Sequence, residues 1–468
     1  MKKASLFVMM LTLVSVTAVG QSFMLDFPNL NSETSVVRHC HNFSNCVILY
    51  SYASGDTTNH FSFVDLNNNV ARSAPFVQGA VVNDVELVGD LAFFCGTING
   101  KALFGYFDIS PLVLGSGTVD YLYTEIDTLD IENPSGSNIT TAYYKNALKI
   151  AVYNVGNNFH AFLVADLTTS NSSTVYRAVF DICTFMGSNP TMWKHASLND
   201  LSGEERFSDV VTTDNCIAFV SEHINTGEVY LHTMKKSIYG DLMFLSTPSG
   251  SDSSFFRYTA FPGTISEPII AANSDTRVAI AFYGRSNAGY SSDIITADIS
   301  VLFNNPVPII NAQYHYVQVY GTNNNSSKEM YEIHFSSLND YFSLLHYAPE
   351  SNFSNQSRFD EYTDNFLAPP INTFYKVGDH FCSLDNLPNN RWAISGKAAN
   401  INGTGTQLLF VHDMGSMTCI SSQGKAASLL TPTAVNALRL DYYFGCNFIT
   451  LQRRTASSFP ITVKRVCN

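Results

Sequence analysis

Apolar and polar positions alternate along most of this chain and predict strands nearly everywhere. One form of the alternation ends in Asp followed by an aliphatic residue. It reads Phe61-Ser62-Phe63-Val64-Asp65-Leu66, then Phe104-Gly105-Tyr106-Phe107-Asp108-Ile109, then Phe162-Leu163-Val164-Ala165-Asp166-Leu167. It returns at 294–299 and 409–414, with a weaker relative at 229–234. Each run follows another apolar run, at 46–52, 91–97, 148–155, 216–221 and 277–283, across a turn rich in Asn or Gly. Such pairs read as β-hairpins. The recurring Asp leaves its strand and opens a turn, where its carboxylate accepts backbone N–H bonds.

A further strand precedes each hairpin. These begin near Ser35, Asp84, Asn138, Phe207, Ser266, Glu329, Val377 and Ala434, spaced by 48 to 69 residues. A fourth strand usually follows, as at 119–126, 174–180, 243–246 and 308–317. Four strands at this period are the signature of propeller blades, in which radial packing covers both faces of every sheet. The eighth unit runs out one strand short, while an orphan strand, Phe23-Met24-Leu25-Asp26-Phe27, precedes the first. The expectation is therefore all-β: a single closed β-propeller of eight blades, the last completed by N-terminal residues 22–28. Seven blades is the alternative, because the sixth unit, around 329–362, is poorly patterned.

The first residues, Met1-Lys2-Lys3-Ala4-Ser5, are basic, and an apolar run extends from Leu6 to about Val19. With small Ala18 and Gly20 ahead of Gln21, residues 1–20 read as a secretory signal peptide, leaving 21–468 as the propeller domain. No later apolar stretch is long enough for a transmembrane helix. The expected location is the periplasm, the cell surface or the medium. The formal charge is −13, from 26 Lys+Arg against 39 Asp+Glu, so nucleic acid is not an expected partner. Charged residues are only 14% and aromatics 13%, which suits strands joined by Asn- and Ser-rich turns.

On the export signal and the blade pattern, the chain resembles the exported multi-bladed β-propeller proteins of Bacteroidetes-type bacteria. The resemblance covers the whole mature chain and rests on no sharp motif. It implies fold and location, and little chemistry.

Candidate chemistry is sparse. The Asp-box, WD40 and kelch signatures, a Gly-x-Ser-x-Gly elbow and a Walker loop are all missing from the sequence. His39-Cys40-His41 with Cys46 has the composition of a zinc site. Alternation along a strand, however, sends the two His and Cys40 to opposite faces. A Cys40–Cys46 disulfide, or free thiols, is the preferred reading. Nine cysteines leave at least one without an intramolecular partner. Cys95, Cys216 and Cys446 lie in apolar runs and read as buried thiols.

A propeller gathers the starts of its first strands around one channel mouth. Asp84, Asp209, Glu267, Glu329 and Asp379, with His39 and His380, are the residues expected there, as ligand-binding groups. Clustered carboxylates repel one another unless they are solvated, protonated or neutralised by a cation, and calcium on Asp84 and Asp209 is the metal version of this idea. The plainer reading is that these acids cap turns in water. Tyr and Asn in the loops would suit a glycan, although inter-blade core is the commoner use of Tyr. The leading functional expectation is a monomeric, non-catalytic binding or scaffold protein for a glycan or protein ligand. The alternative is a carbohydrate-active hydrolase or lyase using carboxylates at the channel mouth.

Overall fold

A computed structural model describes the backbone strand by strand within residues 22–467, and without interruption over 70–115. Side chains are described mainly over 59–126, 143–166, 206–222 and 268–282. Residues 1–20, expected to be a signal peptide, lie outside this part.

The described chain is almost wholly β, with one short helix, Ser110–Leu114. The second unit, residues 80–126, is the best defined. Its strands Ala80–Val88, Leu91–Ile98, Lys101–Asp108 and Leu122–Ile126 pair antiparallel, each with the next. Four-stranded sheets of the same consecutive order are formed by residues 32–76, 269–317, 329–377 and 380–422. Residues 128–259 form a nine-stranded sheet whose two halves, 128–185 and 205–259, meet through one parallel bridge, Arg177 to Arg206. The poorly patterned sixth segment thus carries four strands of its own.

The last sheet contains residues 435–467 and a fourth strand from the other end of the chain. Ser22–Leu25 pairs antiparallel with the strand Ile461–Cys467, with Ser22 opposite Lys464 and Leu25 opposite Ile461. One strand of each unit also touches its counterpart in the next. These contacts run in order through Ser32–His39, Ala80–Val88, Thr140–Val155, Glu205–Thr212, Ile269–Asn273, Glu329–Phe335, His380–Leu387 and Val435–Tyr443, and from the last back to the first. Together these features define a β-propeller-like fold in which these eight strands are the inner ones.

Burial explains why the second strand of a unit reads as a nearly continuous apolar run. In Leu91–Ile98 both faces are covered, so alternate side chains enter different cores. Phe93 and Cys95 pack toward the third unit with Phe104, Phe159 and Leu163. Phe94 and Ile98 pack toward the first unit with Phe61, Phe76 and Phe107. Phe61 is fully buried, its ring centroid 4.7 Å from that of Phe107 and 5.2 Å from that of Phe76. Burying such a ring contributes about 2–3 kcal/mol. Between the third and fourth units, Tyr153 and Phe162 meet Phe207 and Phe219.

The repeated Asp at the end of the third strand performs the turn role expected of it. Asp65 Oδ1 accepts the Asn68 N–H at 3.1 Å, and Asp108 Oδ1 accepts the Ser110 N–H at 2.8 Å.

Candidate functional site

A β-bulge recurs in the inner strands. The register between inner and second strand skips one residue at Thr34/Val36, Val82/Asp84, Phe207/Asp209, Met330/Glu332 and Phe381/Ser383. In Thr140–Val155 it skips twice, at Tyr144/Asn146 and Ala147/Lys149. A bulge leaves one residue out of the ladder and re-aims the side chains beside it. The backbone facing the bulge in the second unit must be bare. A Cβ on Gly96, which pairs with Val82, would lie 1.9 Å from the Val81 carbonyl oxygen.

The bulged residue and the one after it clip their sheet to the next. Asn83 Nδ2 donates to the Ala147 carbonyl and to Asn146 Oδ1, both at 2.7 Å. Asp84, 8% exposed, accepts its neighbour Val85 N–H at 3.0 Å on Oδ1 and the Ile150 N–H of the third unit at 3.2 Å on Oδ2. Two units later the arrangement repeats. Ser208 Oγ donates to the Pro268 carbonyl, and Asp209 accepts Val210 N–H at 3.0 Å and Ile270 N–H of the fifth unit at 3.1 Å.

Between these two acids, Lys149 holds the corresponding place. It follows a bulge as Asp84 and Asp209 do, and Ile150 after it matches Val85 and Val210. Lys149 is exposed, whereas Asp209 is only partly so. Asp209 feels the other two. Burial is the main influence that raises the Asp209 carboxyl above its usual range, and the negative charge of Asp84 adds to it. The Lys149 ammonium and the two backbone N–H bonds oppose that rise. A carboxyl that holds its proton more tightly than usual, beside a cation and a second acid, is suited to giving and taking protons.

The expected site residues fare differently. Asp84 and Asp209 take equivalent positions after the bulges of their strands. Glu267, Asp379 and Cys40 lie outside the described residues, so the structure does not describe the Cys40–Cys46 pairing. His380 opens the strand His380–Leu387 opposite Lys397, three residues ahead of the position after the bulge, which is Ser383. His39 closes the strand Ser32–His39, at the opposite end from the bulge. Glu329 likewise opens its strand, and the position after the bulge is Glu332. Lys149 and Glu332 do not stand at strand starts, where the sequence pattern places its candidate acids. Aligning Asp84-Val85, Lys149-Ile150, Asp209-Val210 and Glu332-Ile333 would have found them. Among the described residues no three of His, Cys, Asp and Glu are grouped as a metal site would require, and no helix is long and apolar enough to cross a membrane.

No protein family and no curated protein matches the chain. Solved structures do. An oligogalacturonate lyase in complex with manganese is 8% identical at a TM-score of 0.44, covering 96% of this chain and 98% of that one. The polysaccharide lyase Uly1 is 8% identical at 0.38, covering 92% and 89%. A prolyl endopeptidase is 10% identical at 0.43 over 91% of this chain, which spans 55% of that enzyme's length. These similar structures are enzymes. On that finding the expectation of a non-catalytic binding or scaffold protein is withdrawn.

Proposed function

We propose that this chain is an exported carbohydrate-active enzyme, a hydrolase or lyase, whose working groups stand on the inner strands of a closed, eight-bladed propeller. It would belong with the exported multi-bladed propeller proteins of Bacteroidetes-type bacteria. The ring reading is supported by the inner strands, whose contacts return from Val435–Tyr443 to Ser32–His39, and by the N-terminal strand that pairs with the last sheet.

One observation carries the catalytic reading. Asp84, Lys149 and Asp209 occupy a single register position in three successive inner strands, and the carboxyl of Asp209 is raised. Cleavage of a glycosidic bond needs a proton donor for the leaving oxygen and a second charged group to stabilise the reacting ring or withdraw its proton. Asp209 is suited to the first task and Asp84 to the second. The Lys149 ammonium offers a counter-charge to an anion that develops on, or is carried by, the sugar. Backbone N–H bonds fix both carboxylates in advance, so little reorganisation is needed at the moment of reaction.

The test is a panel of neutral and acidic polysaccharides, read by reducing-end release and by the absorbance of unsaturated products. Turnover is expected on at least one polymer. Asp209→Asn should lower its rate roughly 100- to 10,000-fold, the usual worth of a positioned acid or base. Asp65→Asn, in a turn, serves as the control. No turnover on any polymer, or equal loss in both variants, refutes the reading.

A further inference from the structure

Two of the nine cysteines stand face to face in the last sheet. The strands Cys446–Arg453 and Ile461–Cys467 pair antiparallel, and their register sets Cys446 directly opposite Cys467. The register runs without a skip from this pair to Gln452 opposite Ile461. Directly opposed residues of an antiparallel pair lie about 4.5 or 5.5 Å apart at Cα, depending on the hydrogen-bonding position. Either separation falls within the roughly 4.4–6.8 Å that a disulfide spans.

We propose that Cys446 and Cys467 form a cross-strand disulfide. From sequence alone Cys446 reads as a buried free thiol; the register supplies the partner that its apolar surroundings do not reveal. The reaction is an exchange with a disulfide-bearing oxidant of the exporting compartment. A Cys thiolate attacks the oxidant's disulfide, and the second Cys sulfur displaces the resulting mixed disulfide. One S–S bond forms in the chain and one breaks in the oxidant, which takes up the two electrons and two protons and leaves as two thiols.

The position gives the bond its purpose. Residues 461–464 of the same strand carry the N-terminal strand on their other edge. A disulfide at Cys467 anchors that strand to its neighbour and so holds the acceptor edge for residues 22–25 in place. The chain would then resist opening where its two ends meet.

The experiment uses the full chain, unfolded and refolded with oxidised glutathione, then alkylated and digested with trypsin without reduction. The expected product joins the peptide 440–453 to the peptide 466–468 through one disulfide. Recovery of both peptides in alkylated form, or each bridged to some other cysteine, overturns the proposal. As a second readout, reductant should lower the melting temperature of the oxidised chain by roughly 3 °C through this bond. The Cys446→Ser/Cys467→Ser double variant should lack that part of the response. A double variant that loses as much on reduction as the native chain also overturns it. The outcome does not depend on the proposed catalysis, because neither cysteine lies on an inner strand.

Discussion

Asp84 accepts a hydrogen bond at 3.2 Å from the backbone N–H of Ile150, 66 residues further along and in the next sheet. Asp209 repeats the relationship with Ile270 at 3.1 Å. Each carboxylate is thus a structural clip as well as a candidate working group, and the two roles separate under substitution. Asp84→Ala removes the acceptor of a buried N–H (Ile150 is 4% exposed) and should cost about 2–3 kcal/mol. Asp84→Asn keeps an acceptor oxygen and should cost less. Urea unfolding of the two variants against the native chain checks the order; equal costs would count against the clip.

Protonation of Asp209 predicts a distinct pH dependence. A carboxyl raised in the folded state binds its proton more tightly there than in the unfolded chain, whose value is 3.8. Its contribution to stability is fully present below about 3.8 and is lost as the pH rises through the raised folded value. Asp209→Asn should flatten that decline in unfolding experiments from pH 4 to 7. Lys149→Met removes an opposing cation and should extend the decline to higher pH. Asp84→Asn removes a contributing anion and should contract it. A decline unaltered by all three variants would mean that Asp209 does not titrate in this environment.

Gly96→Ala tests the bulge. The added methyl meets backbone, the Val81 carbonyl oxygen at 1.9 Å and Val82 Cα at 2.9 Å, so no side-chain rotation relieves it. The bulge that presents Asn83 and Asp84 must shift or flatten. The expected loss is about 3 kcal/mol. Because the damage reaches the residue after the bulge, the proposed activity should fall with stability. A variant as stable as the native chain would show that the ladder adapts at no cost.

Deleting residues 22–25 should leave the 461–467 strand with an open edge. Unpaired N–H and C=O groups along an edge recruit other chains. Static light scattering on the refolded deletion variant should reveal association. A monomer that melts with the native chain would contradict the pairing.

Much of the architecture was legible in the sequence because it follows from local pattern. Sheets covered on both faces require long apolar runs, and their turns require Asp, Asn and Gly. The eight strand starts read from the sequence fall within four residues of the inner strands found. The site was less legible, for a physical reason. A bulge inserts a residue that alternation cannot announce, so counting from the strand start selects Glu329 where the register selects Glu332. Lys149 is hidden for another reason: a pattern of clustered acids does not announce the cation that makes such a cluster tolerable. The clips between sheets were invisible, since Asn83 to Ala147 and Ser208 to Pro268 join residues that only the tertiary structure brings together.

The pairing of Ser22 with Lys464 imposes an order on biosynthesis. These partners are separated by more than 400 residues, which a ribosome adds in about 20–90 s. For that interval residues 22–25 lack this partner, while the sheets between can form from neighbouring hairpins as they emerge. A strand made before all eight inner strands is therefore among the last to be satisfied. Any premature pairing of that strand, with an open edge of an unfinished sheet or of another nascent chain, competes directly with maturation. Chaperone dependence and expression yield should accordingly respond to changes at residues 22–25 more than to changes of similar size in any central strand.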